Sequence, residues 1–584
     1  MKRIRGKTAE EASNEALEKI IIAIEAEHCF RLEAGAGAGK TYSLLKVIEY
    51  IVNNKSNQMM KLGHRVACIT YTNVAKDLIR TKTDNNPLIY AETIHAFAWN
   101  LISGLQKPIR EYVPEISQKW AERISEIGGI QNQIVKYDFG FPKATVDEIT
   151  LHHDDVIKIF SNLLKRDKFK KLIKSKYPII LIDEYQDTNK ELITSIVENI
   201  IEDDFNILIG FFGDHWQTIF GSESCGFISA KEGKILEVSK NANFRSDRII
   251  VEMLNRIRPE LIQNAKIKDG NGEIKIFHTN DWEGQRRKEN HWQEDLPADT
   301  ASKMLKKVVQ ELKKNGWDFN SKETKILMLT NNVLANEQGY SNLISAFEDS
   351  EEYLKKSNPY IKYLIDTVEE VCDFYINREY GEMFKIIGSN RSGIKRMEEK
   401  VRWHTDLREL IELRQTGTIQ DVLKLLMRTK KPRISSRVEN AEIKYNEYLN
   451  IVDPVEKQKN EIFYKKVSTI KAAQYTELIA LKQYLKDNTP FSTKHGVKGE
   501  EFENVLVVCG RGWNHYNWNQ FLEWANSKVP NGKEETYKRN RNLFYVSCSR
   551  SKRKLTVLFT QYLSKEAMVT LNHWFDSKNI KSLI

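Results

Sequence analysis

Two adjacent carboxylates directly after an apolar run constrain this chain more than any other feature. The apolar run at residues 177–182 predicts a buried strand, and Asp183 and Glu184 follow it at once. A carboxylate at such a strand end can hold a magnesium ion, and its neighbour can orient a water molecule. The pattern therefore indicates nucleotide-hydrolysis chemistry at the edge of an α/β sheet.

A phosphate-binding pattern lies upstream of these carboxylates. Residues 34–41 read Ala-Gly-Ala-Gly-Ala-Gly-Lys-Thr and stand between a predicted strand and a predicted helix. In that context the backbone N–H groups around Gly37 and Gly39 would wrap phosphates, and Lys40 would neutralise them. The Thr41 hydroxyl would bind magnesium together with the first carboxylate. The two patterns together predict a site for ATP and Mg²⁺.

Each half of this predicted site has a plainer alternative. Ala34 replaces the first glycine of the strict phosphate-loop pattern, so the loop alone could be an ordinary Gly/Ala-rich turn. The carboxylate pair alone could be a solvated strand end. Their occurrence in one chain, in the order that an ATP site requires, favours the functional interpretation.

The alternation of short apolar strands with helical segments predicts an α/β fold with two parallel-sheet domains. Two stretches lack good strand runs and have apolar residues at helical spacing, so we expect each domain to be interrupted by a mostly helical insertion. We predict the first domain at residues 1–100 and 176–237 with its insertion at 101–175, and the second at 238–335 and 486–584 with its insertion at 336–485.

Composition narrows the class of protein. A hydrophobic fraction of 41% and a charged fraction of 29% are typical of a globular protein, and a formal net charge of +10 favours a polyanionic partner. The cysteines are scattered, without the paired spacing of a zinc site or disulfide framework. The apolar run 20–24 is too short for a signal or membrane segment, so we expect a cytoplasmic protein.

Further sequence blocks stand in a fixed order around these two patterns: residues 71–75, 93–97, 183–189, 213–221, 243–246, 493–502 and 540–550. With these blocks the chain resembles the UvrD/Rep/PcrA group of superfamily 1 DNA helicases along nearly its whole length. The resemblance implies two RecA-like domains with ATP bound between them and single-stranded DNA across their top. It also implies an ATP-dependent DNA helicase that moves 3′ to 5′.

The resemblance implies a role for each residue of the hydrolysis site. Glu184 would polarise the attacking water, Asp183 would hold magnesium, and Gln217 would sense the γ-phosphate. Arg245 and Arg550 would act as arginine fingers, since a guanidinium donates two hydrogen bonds to a phosphoryl group at once. Taken alone, either arginine could instead be a surface ion-pair residue.

The same resemblance extends to the nucleoside and to DNA. Phe244 matches the aromatic residue that stacks on adenine, and Glu501 matches the acid that touches the ribose. The family glutamine that reads adenine is missing, because no glutamine precedes Gln58. Matches to DNA-contacting or flanking positions are Thr72, Asn73, Thr93, His95, Phe220, Thr493 and His495.

Three aromatic residues have structural alternatives. His95 could be a packed histidine that braces the sheet edge, and Trp99 and Trp216 could be core aromatics. Small hydroxyl and amide groups nevertheless suit a strand-tracking surface, because sequence-independent binding relies on phosphate contacts and stacking.

Two functional hypotheses follow. The first is an ATP-driven translocase and helicase that acts on single-stranded or partly duplex DNA. The second is a regulatory subunit that binds nucleotide and DNA and activates a partner nuclease. The compact form of the chain resembles the helicase-like subunits of Gabija-type antiphage systems, which is the basis of the second hypothesis and of the expected nuclease partner.

Overall fold

The computed structural model describes residues 7–584 apart from 139–141, 220, 222, 268–269, 389–393, 395 and 452. In the described chain, no helix is both long enough and apolar enough to span a membrane. The predicted fold class is confirmed: two six-stranded parallel sheets form two RecA-like domains, and a mostly helical segment interrupts each of them.

The first domain begins with helices and strands in alternation. Its elements are α1 (Ala9–Glu25), β1 (Phe30–Ala34), α2 (Lys40–Lys61), β2 (Val66–Thr70), α3 (Asn73–Lys82), β3 (Ile89–Thr93) and α4 (Ile94–Ile102). The first insertion then contains α5 (Gln106–Ile116), α6 (Gln118–Glu126), β4 (Ile134–Tyr137), β5 (Lys143–Ala144), β6 (Glu148–Leu151), α7 (His153–Leu163) and α8 (Asp167–Lys176). Strands β4, β6 and β5 form a small sheet that the sequence pattern did not predict.

The chain then returns to the first sheet. The returning elements are β7 (Ile179–Asp183), a 3₁₀ turn (Tyr185–Asp187), α9 (Lys190–Ile196) continued by a π-helical turn (Val197–Ile201), β8 (Leu208–Gly213), a 3₁₀ turn (His215–Gln217) and β9 (Leu236–Lys240). The strand order is β3-β2-β7-β8-β1-β9, and all pairs are parallel. Because β7, β8 and β1 are neighbours, the segments that follow them meet at one edge of the sheet.

The second domain opens with a separate two-stranded ribbon. Its first elements are β10 (Ala242–Asp247), α10 (Arg248–Ile257), β11 (Asn264–Ile267), β12 (Glu273–His278), a 3₁₀ turn (Asn290–Trp292), α11 (Ala298–Lys314) and β13 (Thr324–Met328). Strands β10 and β11 pair with each other, and helix α10 packs against β12 of the second sheet.

The second insertion is helical throughout its described residues. It contains α12 (Asn331–Gln338), α13 (Ser341–Ile344), α14 (Glu351–Leu354), α15 (Pro359–Tyr363) continued by a π-helical turn (Leu364–Glu369), α16 (Glu370–Ile376), α17 (Tyr380–Ile386), α18 (Met397–Thr416), α19 (Ile419–Thr429), α20 (Ser436–Tyr448), α21 (Pro454–Ala472) and α22 (Tyr475–Leu485). It shares one hydrophobic core with a face of the second sheet.

The chain closes the second sheet with β14 (Phe491–Thr493), β15 (Phe502–Cys509), α23 (Trp518–Ala525), α24 (Glu534–Cys548), β16 (Ser551–Phe559), α25 (Lys565–Phe575), a 3₁₀ turn (Ser577–Asn579) and β17 (Ile580–Ser582). The strand order is β14-β13-β15-β16-β12-β17, again all parallel. A core cluster on this sheet also takes in Ala36 and Trp216 of the first domain, so the two domains are packed together at the sheet edge.

Candidate functional site

The phosphate loop connects β1 to α2. Gly37 and Gly39 both have φ of 74°, a left-handed conformation that glycine adopts without steric cost. Gly39 is the N-cap residue of α2, so the unpaired N–H groups of the first helical turn face the loop. Lys40 is the first residue of that helix and its side chain is 9% exposed. The loop therefore has the backbone shape and the buried cation that phosphate binding needs.

The two carboxylates stand beside this loop. Asp183 ends β7 and is 3% exposed, and its Oδ1 accepts the backbone N–H of Glu184 at 3.0 Å. The Lys40 Nζ lies 3.6 Å from Glu184 Oε2. Glu184 has φ of 48°, which is rare for a residue with a side chain and is typical of strained functional positions.

The electrostatics of the two carboxylates differ. Burial, and then the adjacent Glu184, raise the pKa of Asp183 to about 7. Burial opposes ionisation of Glu184 as well, but the cations Lys40 and Lys498 lower its pKa below the ordinary value. The site therefore holds Glu184 charged and leaves Asp183 in need of a cation.

The residues present fit a magnesium ion. Asp183 and Thr41 offer a carboxylate and a hydroxyl, the hard oxygen ligands that Mg²⁺ prefers. A divalent cation would also relieve the repulsion between the carboxyl groups of Asp183 and Glu184, which raises the pKa of Asp183.

A third segment from the first domain completes this wall of the site. Asp214 and Gln217 follow β8, and the Gln217 Nε2 donates to Asp214 Oδ2 at 2.7 Å. Lys498, from the loop between β14 and β15 in the second domain, donates to both carboxylate oxygens of Asp187 at 2.6 Å and to the carbonyl of Gln217 at 2.6 Å. The residue predicted to sense the γ-phosphate is therefore held from both domains.

The two predicted arginine fingers come from the second domain. The Arg245 Nε donates to Glu501 Oε2 at 2.7 Å, and its Nη1 donates to the Ser549 carbonyl at 3.1 Å. Arg550 is 1% exposed and donates to three uncharged oxygens, namely the carbonyls of Val546 and Glu500 and the Ser549 hydroxyl. Burial, and then the nearby Arg245, lower the pKa of Arg550 to about 9.

The second domain also touches the phosphate loop directly. The Asn243 Nδ2 donates to the Ala36 carbonyl at 3.0 Å, and the Phe244 backbone N–H donates to the Gly37 carbonyl at 2.8 Å. The Tyr545 hydroxyl accepts the Ala36 N–H at 3.3 Å. Residues from the segments 243–246 and 540–550 therefore hydrogen-bond to the loop, and both segments were selected from the sequence as functional blocks.

The predicted nucleoside contacts lie at the same place. The Phe244 ring packs against Ala9 and Ala12 of α1, with the Lys240 Nζ at 5.6 Å from the ring centroid. Burial lowers the pKa of Lys240 to about 8. Glu501 is paired with Arg245 and with Lys552, so it is engaged by cations rather than free.

Several predicted DNA contacts stand at or just after the carboxyl ends of β2 and β3 in the first sheet and of β14 in the second. Thr93 ends β3 and Thr493 ends β14, while Thr72 caps α3 just after β2 by accepting the Ala75 N–H at 3.2 Å. Asn73, the first residue of α3, accepts a hydrogen bond from Lys76 at 3.0 Å. Phe220 lies outside the described residues.

The two predicted DNA-contacting histidines are both engaged. The His95 ring stacks on His153 with 3.2 Å between centroids, so the alternative of a packed histidine describes its present contacts. The His495 Nε2 is 3.2 Å from the Tyr516 hydroxyl. Trp216, 5% exposed, is a core aromatic at the domain interface, whereas Trp99 packs against Tyr137 in the first insertion.

Sequence reasoning missed several residues of this site. Tyr545 and Lys498 lie inside blocks quoted for the resemblance, so their position in those blocks was the available signal. Gln186 lies within the segment after β7 and was likewise unassigned. Arg258 stands at the end of α10 outside every block, and nothing in the local pattern distinguishes it from a surface arginine.

Comparison with known proteins supports this geometry. Residues 17–223 match the AAA domain family model, a segment that contains the phosphate loop and both carboxylates. This segment of the chain is similar to an AAA domain. It is also 23% identical over 658 aligned positions to Gabija protein GajB of Bacillus cereus (strain HuB5-5), an alignment that covers 90% of this chain and 92% of that protein.

The predicted resemblance to UvrD-like helicases and to a Gabija protein is thereby confirmed. The match to the AAA domain model indicates nucleotide binding by this segment, and the two similarities together support a helicase-like or defence role.

Proposed function

We propose that this chain is an ATP-dependent, single-stranded DNA translocase and helicase that moves 3′ to 5′. The observation that carries the proposal is that the second domain contacts the phosphate loop: the Phe244 N–H donates to the Gly37 carbonyl, and the Asn243 amide donates to the Ala36 carbonyl. The same loop leads into Lys40, whose Nζ lies 3.6 Å from Glu184 Oε2. Arg245 and Arg550 are the second-domain groups that we propose to complete the site. Hydrolysis that needs groups from both domains can change how those domains sit together.

The proposed mechanism starts with phosphate binding. Lys40 would leave Glu184 and pair with the β- and γ-phosphates, since its amine is the cation nearest the loop. Thr41 and Asp183 would hold Mg²⁺, which when bound supplies charge neutralisation on the phosphate oxygens. Glu184, freed from Lys40 and kept ionised, would accept a hydrogen bond from the attacking water and orient it.

The second domain would supply the remaining charge. The Arg245 guanidinium would exchange Glu501 for a phosphate oxygen, which would release Glu501 toward the ribose. Arg550 would donate to the transferring phosphoryl group, where its planar fork matches the developing charge. Gln217, held by Asp214 and Lys498, would report the state of the γ-phosphate to both domains.

The test is steady-state ATP hydrolysis by the wild type and by Glu184→Gln, with and without single-stranded DNA. Glu184→Gln should still bind ATP but lose turnover by about 100-fold or more, because an amide cannot take a share of the proton from the water. Glu198→Gln, an exposed position in the same domain, is the matched control and should behave as wild type. Turnover unchanged in Glu184→Gln would refute the assigned role.

A second assay addresses direction. A labelled duplex with a 3′ single-stranded tail should be separated, whereas the same duplex with a 5′ tail should stay intact. Separation of the 5′-tailed duplex alone would contradict the proposed polarity.

The second candidate is a nucleotide- and DNA-sensing subunit that activates a partner nuclease. The similarity to Gabija protein GajB across 90% of the chain favours it. In this case the isolated chain would bind nucleotide and DNA, but its turnover would stay near background until the partner is added. Strong DNA-stimulated turnover and strand separation without any partner would favour the helicase alone.

A further inference from the structure

A chain of buried polar groups joins the second domain to the predicted catalytic carboxylate. It begins at Arg258, just after α10, whose side chain is 2% exposed. The Arg258 Nη1 donates to Asp214 Oδ1 at 2.6 Å, and its Nη2 donates to Glu33 Oε1 at 3.2 Å. Both carboxylates belong to the first domain, so Arg258 reaches across the domain interface.

From Asp214 the chain divides into two branches. One oxygen of Asp214 accepts the Gln217 amide at 2.7 Å. The Asp214 backbone N–H donates to Gln186 Oε1 at 3.0 Å, and the Gln186 Nε2 donates to Glu184 Oε2 at 2.5 Å. Asp214 therefore contacts the residue predicted to sense the γ-phosphate through its carboxylate, and reaches the residue predicted to orient the water through its backbone N–H and Gln186.

The positive charge of Arg258 stabilises the buried carboxylate of Asp214. Asp214 is 0% exposed, and burial by itself would raise its pKa, but the Arg258 guanidinium and Lys40 lower the pKa to about 2. Without the guanidinium, a charged Asp214 would be buried without its main partner and would have to take up a proton or move toward water. Protonation would weaken the hydrogen bond that the Gln217 amide donates to this carboxylate, and a shift of Asp214 would also displace its backbone N–H from the Gln186 oxygen.

The position of Arg258 depends in turn on the domain interface. Its guanidinium lies 5.1 Å from the Trp216 ring of the first domain and 5.6 Å from the Tyr545 ring of the second, which gives it a cation–π contact on each side. Tyr545 also accepts the Ala36 N–H in the phosphate loop. A shift of one domain against the other would therefore move Arg258 relative to Asp214.

We infer that Arg258 is a positioning residue that orients Glu184 and Gln217 through Asp214, so that turnover depends on how the second domain sits against the first. The inference rests on the proposed function, because it assigns Arg258 to the same hydrolysis site. Arg258 touches neither nucleotide nor water in this scheme and acts only through the carboxylate that it holds.

The experiment compares Arg258→Gln with Arg256→Gln in DNA-stimulated ATP hydrolysis. Arg256 is the matched control because it lies in α10 and pairs with Asp576 near the surface, at 2.9 Å. We expect Arg258→Gln to lower kcat by about 100-fold, as expected for a misplaced catalytic group, with KM for ATP within about threefold of wild type. Arg256→Gln should change neither constant.

A conservative variant separates positioning from packing. Arg258→Lys keeps a positive charge that can reach Asp214, but it lacks the fork that also contacts Glu33. Its kcat should therefore lie between those of wild type and Arg258→Gln. Equal kcat for the lysine and glutamine variants would overturn the inference, because the charge on Asp214 would then be irrelevant.

Gln186→Met provides a second route if Arg258→Gln does not fold. It breaks the link between Asp214 and Glu184 without burying a charge, and Gln186 is itself 0% exposed. It should reproduce the loss of kcat with KM retained, and wild-type kcat in Gln186→Met would overturn the inference.

The outcomes distinguish the two proposals. A wild type whose turnover equals that of Lys40→Ala, with and without DNA, would contradict the proposed function and the inference with it. A DNA-stimulated wild type together with an Arg258→Gln variant of equal kcat would contradict only the inference.

Discussion

At the scale of single residues, the two predicted arginine fingers differ in the hydrogen-bond partners that each would lose on binding a phosphate. Arg245 already donates to the Glu501 carboxylate, so a phosphate must compete with an existing ion pair. Arg550 is buried and donates to uncharged oxygens, and its pKa is lowered to about 9. An incoming phosphoryl charge would thus stabilise Arg550 more than Arg245.

Arg550→Ala should therefore remove most of the turnover. We expect kcat to fall by about 10³-fold, in the range known for arginine fingers, while the Kd for ATP changes by only a few-fold. The measurement is single-turnover hydrolysis together with equilibrium binding of a fluorescent ATP analogue. Lys538→Ala, an exposed position on α24, the helix that precedes Arg550, is the control. A parallel loss of binding and turnover would instead indicate a ground-state contact.

The residues that could be predicted from sequence are those whose chemistry is local. Lys40 and Glu184 are recognisable because a glycine-rich turn and a strand end each have a short sequence pattern. The parallel strand order then brings the Lys40 Nζ to 3.6 Å from Glu184 Oε2. Arg258 could not be found in this way. Its partners Asp214 and Glu33 are distant in sequence, and only the packing of two domains makes them neighbours.

At the scale of elements, the phosphate loop is shaped by the segment that faces it. A Cβ on Gly37 would lie 2.7 Å from the Asn243 Oδ1 and 2.9 Å from the Arg245 Cβ. Gly63, at the end of α2, shares the left-handed conformation, but a Cβ there would have no atom within 4 Å. Alanine substitutions at these two glycines therefore separate the cost of the left-handed backbone conformation from the cost of a steric contact with the facing segment.

Gly37→Ala should weaken ATP binding by about tenfold or more, because the loop must move away from Asn243 as well as adopt a strained φ. Gly63→Ala carries only the cost of the strained φ, about 1 kcal/mol of unfolding free energy, and should bind ATP normally. Equilibrium binding of the fluorescent analogue and thermal unfolding of both variants provide the measurement. Equal ATP affinity in the two variants would show that the contact with Asn243 is unimportant.

Element boundaries could be predicted only where apolar periodicity marks them. In α2 the apolar periodicity is clear only as far as Val52, but the helix continues to Lys61, because Met59 is 5% exposed and anchors a last stretch that is otherwise polar. The small sheet of the first insertion was missed because strand pairing such as Ile134 with Glu148 depends on long-range register that short runs do not encode.

The contact between α4 and α7 predicts a pH dependence. Burial, and then the stacked His153, lower the pKa of His95 to about 4, whereas an unfolded histidine titrates near 6.5. Between these values the unfolded chain binds more protons, so the contribution to stability is complete above pH 6.5 and is lost as the pH falls toward 4.

Wild type should therefore lose more stability than His95→Phe when the pH falls from 7.5 to 5. We expect a difference of about 1 kcal/mol in the free energy of unfolding, after allowance for the partial exposure of the ring. Denaturant titrations at the two pH values measure it, with His573→Phe, an exposed position on α25, as the control. Identical pH sensitivity in wild type and His95→Phe would contradict the prediction.

At the scale of the whole molecule, the carboxyl ends of strands in both sheets carry the predicted DNA contacts, while the phosphate loop lies at the edge where the two domains pack. Thr72 and Thr93 belong to the first domain, and Thr493 and His495 belong to the second. Several of these candidates are small and uncharged, so favourable binding of a polyanion would rely on the surrounding field of a chain with net charge +10.

Binding of single-stranded DNA should therefore weaken steeply as salt is raised. Each phosphate that a cation neutralises contributes about −0.7 to the slope of log K against log salt concentration, so about four contacts give a slope near −3. Fluorescence anisotropy of labelled oligonucleotides at several salt concentrations measures the slope, and different base sequences should give the same value because the contacts are to the backbone. A flat response would contradict a strand-tracking groove.

His495→Ala tests the same prediction with a single variant. Burial, and then Lys494 and Lys498, lower the pKa of His495 to about 4, so this side chain is uncharged near neutral pH. Its loss should lower affinity without changing the slope, because a neutral side chain releases no counterion.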